Sequence, residues 1–388
     1  MVAYLDHLGL VAWPFSIVPR RQYCNFLAGR TQLKDDISAL LRGLSRRDTS
    51  SIHVLWSWLG AGKTHSLFYL MNQCGAFGEN AHVELCPIYS EFPKRARGFF
   101  DLYQSAVLGL DSRLLIESFL EATTSPEWAL RFRILSDANP DLSAAFRNMV
   151  IGDTHDQSVA IRWLRGDALP LGEFRQLGIS QRIATADQAV RVFSVLVELC
   201  DMASRSKGRQ GFRLVWILDE FQRIARCSSA VAREINAGLH SLFNACPVGL
   251  TIVISFSGPP DAKRLPDWLS PELRSRIGAT KVLILPPFQP SEALDFVAEV
   301  LGHFRIPSST AVDRFFPFTK EACIYIIDHL AKSTELRPRI IMHAMNAILE
   351  AADSLMEQKT LTRIGREFAE TVLREYVIVA EVEDDRDD

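Results

Sequence analysis

The octapeptide Ser57-Trp58-Leu59-Gly60-Ala61-Gly62-Lys63-Thr64 constrains this chain more than any other stretch. It follows the apolar run at 52–56 and precedes Leu67, Leu70 and Met71, which recur at helical spacing. Strand, glycine turn and helix in that order make a phosphate-binding loop, because backbone N–H groups must curl around phosphate oxygens and glycine permits the curl. Lys63 is placed to reach the β- and γ-phosphates and the Thr64 hydroxyl to ligate Mg²⁺. Ser57 stands where the G-x-x-x-x-G-K-[ST] pattern has its first glycine. Serine is tolerable there if the backbone keeps φ negative, so binding is expected to survive. Gly60, Ala61, Gly62 and the flanking His65 complete the binding segment. The bland alternative is a glycine turn that caps a helix and holds no phosphate.

A second run, 214–218, ends in Asp219-Glu220. A buried parallel strand delivers such acids to the carboxyl edge of a sheet. Asp219 is the expected Mg²⁺ holder and Glu220 the group that polarises an attacking water. With Lys63 and Thr64 this describes an ATP site with hydrolytic machinery. No Asn-Lys-x-Asp motif is present, which favours ATP over GTP.

Further strands are expected at 83–89, 249–256 and 281–285. Unbroken Val/Ile/Leu strands alternating with helices argue for a parallel sheet buried on both faces. The fold class is therefore α/β, a five-stranded parallel P-loop core with a helical insert, followed by an all-helical lid. The expected layout is a proline-interrupted lead-in at 1–29, the core at 30–287 with the insert at about 98–205, the lid at 288–379, and a disordered acidic tail at 380–388.

The 388 residues are 48% apolar and 23% charged, with a net charge of −3, so any contact with nucleic acid must be a local patch. Seven scattered cysteines form no C-x-x-C pair and read as reduced thiols, and no apolar stretch approaches the ~20 residues of a membrane span. A cytoplasmic protein with no membrane contact is expected. H-E-x-x-H and G-x-S-x-G are both absent, which argues against zinc-protease and serine-hydrolase chemistry. Three basic patches could meet DNA phosphates: Arg42, Arg46 and Arg47; Lys94, Arg95 and Arg97; and Arg205, Lys207, Arg209 and Arg213. A charge run in a loop is more often simply solvated.

The ordered motifs resemble AAA+ ATPases, in particular the origin-recognition-like branch and transposition or defence ATPases. The resemblance covers roughly 26–92 and 212–350. It implies that residues 26–30, ending in Arg30, line the adenine pocket. Ser257, with Ser255 close behind, falls where the family has its first sensor near the γ-phosphate. The segment 270–276 resembles the one that carries the arginine finger, for which Arg274 and Arg276 compete. Such a finger completes a neighbouring subunit's site, which implies a homo-oligomer with shared sites. Arg339, after Arg337 and Pro338, matches the family's second sensor on the lid.

Lys63 and Asp219 lie 156 positions apart, far more than one further strand-helix pair needs. Within this insert, residues 160–167 (AIRWLRGD) and 174–179 (FRQLGI) resemble phrases of ATP-binding proteins from BREX-type phage-defence systems. A helical hairpin with a buried Trp163 explains the first phrase equally well. The resemblance implies protein partners in a multi-component, DNA-linked process such as phage defence or transposition. The expected function is a Mg-ATP-dependent regulatory or remodelling switch, slow rather than a fast motor. The alternative is a non-hydrolysing ATP-binding scaffold.

Overall fold

The computed structural model describes residues 5–16, 18, 20–78, 82–261, 264–278, 281–307 and 313–384. The chain enters through α1 (Thr31–Arg46), β1 (Ser51–Ser57), α2 (Lys63–Gly78) and β2 (Val83–Glu91). The long insert then supplies α3 (Phe99–Leu108), α4 (Ser112–Thr124), α5 (Ala129–Ala138), α6 (Pro140–Ile151), α7 (Thr154–Leu164), α8 (Leu171–Arg175) and α9 (Ala186–Ser206). The core resumes with β3 (Gly211–Asp219), α10 (Ser229–Ala245), β4 (Leu250–Ser257), α11 (Pro271–Arg276) and β5 (Val282–Leu285). Four helices follow: α12 (Pro290–His303), α13 (Lys320–Ser333), α14 (Pro338–Glu357) and α15 (Arg366–Asp384).

The strands form one five-stranded parallel sheet in the order β2-β3-β4-β1-β5. β3 sits inside it, and all nine of its residues are buried, which is why its sequence shows no polar alternation. Its register sets Glu91 of β2 opposite Asp219 and Leu218 opposite Ile254 of β4. Side chains alternate between faces. Leu214, Trp216 and Leu218 therefore join Phe193, Tyr103 and the rest of the insert's core on one face, while Asp219 lies on the other. Trp216 is fully buried, with its indole Nε1 donating to Ser90 Oγ at 2.7 Å. Deleting a ring of this kind costs about 3–5 kcal/mol.

The insert closes over that face. A capping box at Thr185 and Gln188 starts α9, and Pro140 takes the first position of α6, where its missing N–H costs nothing. α3 meets α10 where a Cβ on Gly238 would lie 2.2 Å from Phe99 Cγ, so only glycine admits the contact.

By packing, the chain divides into two compact units. One comprises residues 36–56 and 70–284, hence nearly all of the sheet and the insert. The other comprises 1–35, 57–69 and 285–388, hence the glycine loop and the C-terminal helices. In this second unit the lead-in is no appendage. Leu5, Leu8, Leu10 and Phe15 belong to the same apolar core as Phe318, Ile348 and Leu349, and Trp13 Nε1 donates to Asn346 Oδ1 at 2.6 Å. At the other end, α15 continues to Asp384. The expected disordered tail is therefore helical at 380–384, an extension of a helix whose Ala369 and Leu373 are core residues. Residues 385–388 of that tail lie outside the described residues.

Candidate nucleotide site

The glycine loop joins β1 to α2. Gly60 and Gly62 adopt φ of 76° and 91°, the left-handed region that side chains disfavour. Among the described non-glycine residues only Glu220 and Lys359 have positive φ, so Ser57 keeps the negative φ that serine requires. Ser57 is fully buried, and its hydroxyl donates to the Trp58 carbonyl at 3.0 Å.

Every loop carbonyl from Trp58 to Gly62 is already taken. Trp58 O accepts from Lys63 Nζ at 3.2 Å, and Leu59 O from Arg337 Nη1 at 3.2 Å. Gly60 O accepts from the Arg339 amide at 3.1 Å, Ala61 O from Arg30 Nη2 at 3.3 Å, and Gly62 O from the Ser66 amide at 3.0 Å. With its acceptors occupied, the loop offers a ligand N–H groups, the Lys63 ammonium and the amino end of a 16-residue helix. That combination selects an anion.

The supporting residues differ in what they offer. The buried Arg30 guanidinium stacks 4.0 Å over the Phe288 ring and bonds the carbonyls of Pro286 and Ala61. Burial pulls its pKa down to about 10, so it remains charged at neutral pH. It braces the loop from behind. His65 donates from Nε2 to Phe26 O at 2.6 Å, which leaves Nδ1 facing the Cys24 thiol at 3.7 Å. Both ring nitrogens thus turn to the lead-in, and burial lowers the pKa of the ring. Arg337 lies 5.9 Å from the Trp58 ring centre and pairs with Glu335 at 3.2 Å. The Arg339 side chain is exposed, with only its backbone committed to the loop.

The acid corner is built at the carboxyl end of β3. Asp219 is 1% exposed, its Oδ2 accepting from the Tyr89 hydroxyl at 3.1 Å and its Oδ1 from the Glu220 amide at 2.9 Å. Burial, and then the Asp219 charge, push the Tyr89 phenol far up, which keeps it a donor. Glu220 has φ 59° and ψ 31°, a left-handed conformation that a side chain bears only when its surroundings fix it. Its Oε2 accepts from Gln222 Nε2 at 2.9 Å and lies 3.5 Å from Arg223 Nη2. Arg223 is anchored in turn by Glu91 at 2.6 Å and the Phe92 carbonyl at 2.7 Å.

Ser255 and Ser257 end β4, and neither hydroxyl has a hydrogen-bond partner among the described residues, although both oxygens are buried. Ser255 shares the sheet face of Asp219 by alternation. The Ser257 amide donates to Gln222 Oε1 at 2.9 Å. In α11, Arg274 is ion-paired to Asp267 at 3.2 Å. Arg276 has a neutral partner, Asn244 Oδ1 at 3.2 Å, beside the Phe243 ring. Arg276 is therefore the more available of the two.

Asp219 and Thr64 offer hard oxygen donors of the kind Mg²⁺ takes. Among the described residues no three His, Cys, Asp or Glu side chains form a metal cluster.

The third basic patch needs correction. Arg213 is 1% exposed and bonds the carbonyls of Leu44, Arg47 and Thr49. It satisfies orphan carbonyls at and beyond the end of α1, so it cannot meet DNA. Arg205, Lys207 and Arg209 are paired with Asp201, Glu117 and Glu84. Lys94, Arg95 and Arg97 are exposed in the turn after β2, with Arg97 paired to Asp101. In the insert, Trp163 is buried, with Nε1 donating to Gln181 O at 2.8 Å. Gly166 has φ 73° against the Phe100 ring. Trp163 and Gly166 of the Trp-Leu-Arg-Gly phrase thus pack within the helical insert. No helix among the described residues is long and apolar enough to cross a membrane.

The sequence pointed to Lys63, Thr64, Asp219 and Glu220 but missed Tyr89, Gln222 and Arg223. Tyr89 precedes Glu91 by two on β2, so both share the face of Asp219 once the register is known. No family profile and no curated protein sequence matches this chain. Solved structures do match. The ORC2 protein of Aeropyrum pernix, solved as ADPNP-ADP complexes, aligns with 90% of this chain and 69% of its own, with a TM-score of 0.54 and 14% identity. The ORC1 protein of Aeropyrum pernix, solved in complex with DNA, aligns with 94% of this chain and 69% of its own, with a TM-score of 0.51 and 13% identity. At such low identity the likeness is one of fold, and that fold is the ORC-like AAA+ fold, with a five-stranded parallel core and a C-terminal helical domain.

Proposed function

We propose that this chain is a Mg-ATP-dependent AAA+ ATPase that works as a slow, oligomerising switch. One observation carries the reading: the buried Asp219 is followed by a Glu220 held in a left-handed conformation, in a chain that also has a loop stripped of free carbonyls. The loop amides and Lys63 bind the β- and γ-phosphates. Thr64 and Asp219 would hold Mg²⁺, which when bound neutralises charge on the phosphates. Glu220 orients the attacking water and accepts its proton through a free carboxylate oxygen. Ser257, or Ser255, offers its unpaired hydroxyl to the γ-phosphate, and Arg339 an exposed guanidinium. Arg276, or Arg274, from a neighbouring copy completes the site.

The finer assignment is a DNA-linked process in the cytoplasm, with protein partners in a phage-defence or transposition system. The matched structures that hold DNA and adenine nucleotides support its general direction. The exposed turn with Lys94 and Arg95 is the patch best able to meet a phosphate backbone. Steady-state ATP turnover of the wild type and Glu220→Gln tests the reading. The expected outcome is a loss of about 10²–10⁴-fold in rate with ATP binding retained. Equal near-zero rates, with ATP bound by both, would leave a non-hydrolysing scaffold. Particle size with ATP, with and without duplex DNA, tests assembly and the DNA link together.

A further inference from the structure

Glu220 is held by a small set of groups, and they do not act on its two carboxylate oxygens alike. Gln222 Nε2 and Arg223 Nη2 both converge on Oε2, at 2.9 and 3.5 Å. The Glu220 carbonyl accepts from the Arg223 amide at 3.1 Å, and the Glu220 amide donates to Asp219. Oε1 accepts no hydrogen bond from a described residue. One oxygen is clamped and the other is left for a water.

The orientation of the Gln222 amide follows from its partners. The Ser257 backbone N–H can only donate, so the oxygen of the Gln222 side chain must face it at 2.9 Å. Its NH₂ group must then face the Glu220 carboxylate. A single amide therefore spans from the end of β4 to the carboxylate at the end of β3. Arg223 is the looser of the two clamps, because Glu91 and the Phe92 carbonyl already hold its Nη1.

We propose that Gln222 is a positioning residue: it fixes the Glu220 carboxylate with Oε1 free and links it to the Ser257 end of β4. The inference rests on the ATPase reading of Glu220. A shift of the β4 end on binding a phosphate passes through Gln222 to the group that orients the water. Hydrolysis is thereby tied to a correctly seated nucleotide.

The test compares Gln222→Ala and the near-isosteric Gln222→Met with the full-length wild type, in ATP turnover, MgATP binding and thermal melting. Both variants should lose about tenfold or more in kcat, the size expected for one lost orienting hydrogen bond. KM for MgATP should stay within about threefold of wild type. In a Glu220→Asp background, whose shorter carboxylate no longer meets the amide, Gln222→Met should have little further effect. An equal loss in both backgrounds, a rise in KM with kcat unchanged, or wild-type kinetics would overturn the proposal. The failures are distinguishable. If the wild type turns over, Glu220→Gln abolishes turnover and Gln222→Met does not change it, only this inference falls. If the wild type hydrolyses no faster than Lys63→Ala, the ATPase reading falls and this proposal with it.

Discussion

The glycine loop and the acid corner reach order by opposite routes. The loop is local: Ser57 to Thr64 are contiguous, and two positive-φ glycines give it shape. The acid corner is assembled from parts far apart in sequence. Tyr89 and Glu91 come from β2, Asp219 to Arg223 from the end of β3 and the turn after it, and Ser257 from β4. A local device can be written as a motif. An assembled one depends on strand order and register, and it fails when any one contributor is lost.

The sharpest break of the comparison is Arg276→Ala. If the acid corner is completed from a neighbouring copy, turnover should fall by about 10³-fold with ATP binding intact. Arg274→Ala should cost far less, since Asp267 already holds that guanidinium. Mixing Arg276→Ala with Lys63→Ala protein should restore part of the rate. A monomer in sedimentation with no complementation would make the site self-contained.

Next in size is Gly60→Val, aimed at the local device. A side chain at φ 76° is strained, and a Cβ there would lie 3.1 Å from Arg339 Cβ, so the loop and the start of α14 must both move. ATP affinity should fall by about 100-fold or more, equivalent to some 2.7 kcal/mol. Equilibrium binding of ATP checks it. Retained affinity would show that the loop's curl is not what holds the nucleotide.

Legibility follows the same divide. The octapeptide and the Asp219-Glu220 pair are visible because each is a short run with a fixed chemical purpose. The strands are visible as apolar runs: the observed β3 extends the run at 214–218 by three residues at its start and one at its end, and β4 lies one residue later than the expected 249–256. Gln222 was not visible: its role depends on Ser257, 35 positions away, reaching it across the ends of two strands. Arg213 reads as a surface charge because nothing local shows the carbonyls of Leu44, Arg47 and Thr49 converging on it. His65 reads as a loop residue by adjacency, yet its partners lie about 40 positions upstream.

A smaller effect concerns the two units that carry these devices. Each holds a histidine whose pKa is lowered, His65 with the loop and His53 in β1, where burial, then Lys281 and Arg213, bring it to about 4. A folded pKa below the unfolded value near 6.5 means that the unfolded chain binds the extra proton between about pH 4 and 6.5. Stability is therefore complete above that window and falls as pH drops through it. His53 alone should cost about 2 kcal/mol between pH 7 and pH 5. Urea melts of wild type and His53→Gln check the sign. Replacing His53 should flatten the acid-side loss, to which His65 adds in the same direction. An unchanged slope would mean that folding leaves the His53 pKa where it is in the unfolded chain.

The smallest effect is expected at Ser57, where the loop departs from its pattern. Its φ is already negative and its hydroxyl is satisfied by the next carbonyl, so the pattern's glycine supplies no conformation that the serine lacks. Ser57→Gly should leave ATP affinity within about threefold, while the added freedom of the unfolded chain costs about 0.5–1 kcal/mol of stability. Gly60→Val and Ser57→Gly thus form a pair: one inserts a side chain where the curl forbids it, the other removes one where the curl is indifferent. If Ser57→Gly instead raised turnover tenfold or more, the serine itself would set the slow rate, and the acid corner would no longer be the part of the molecule that governs the switch.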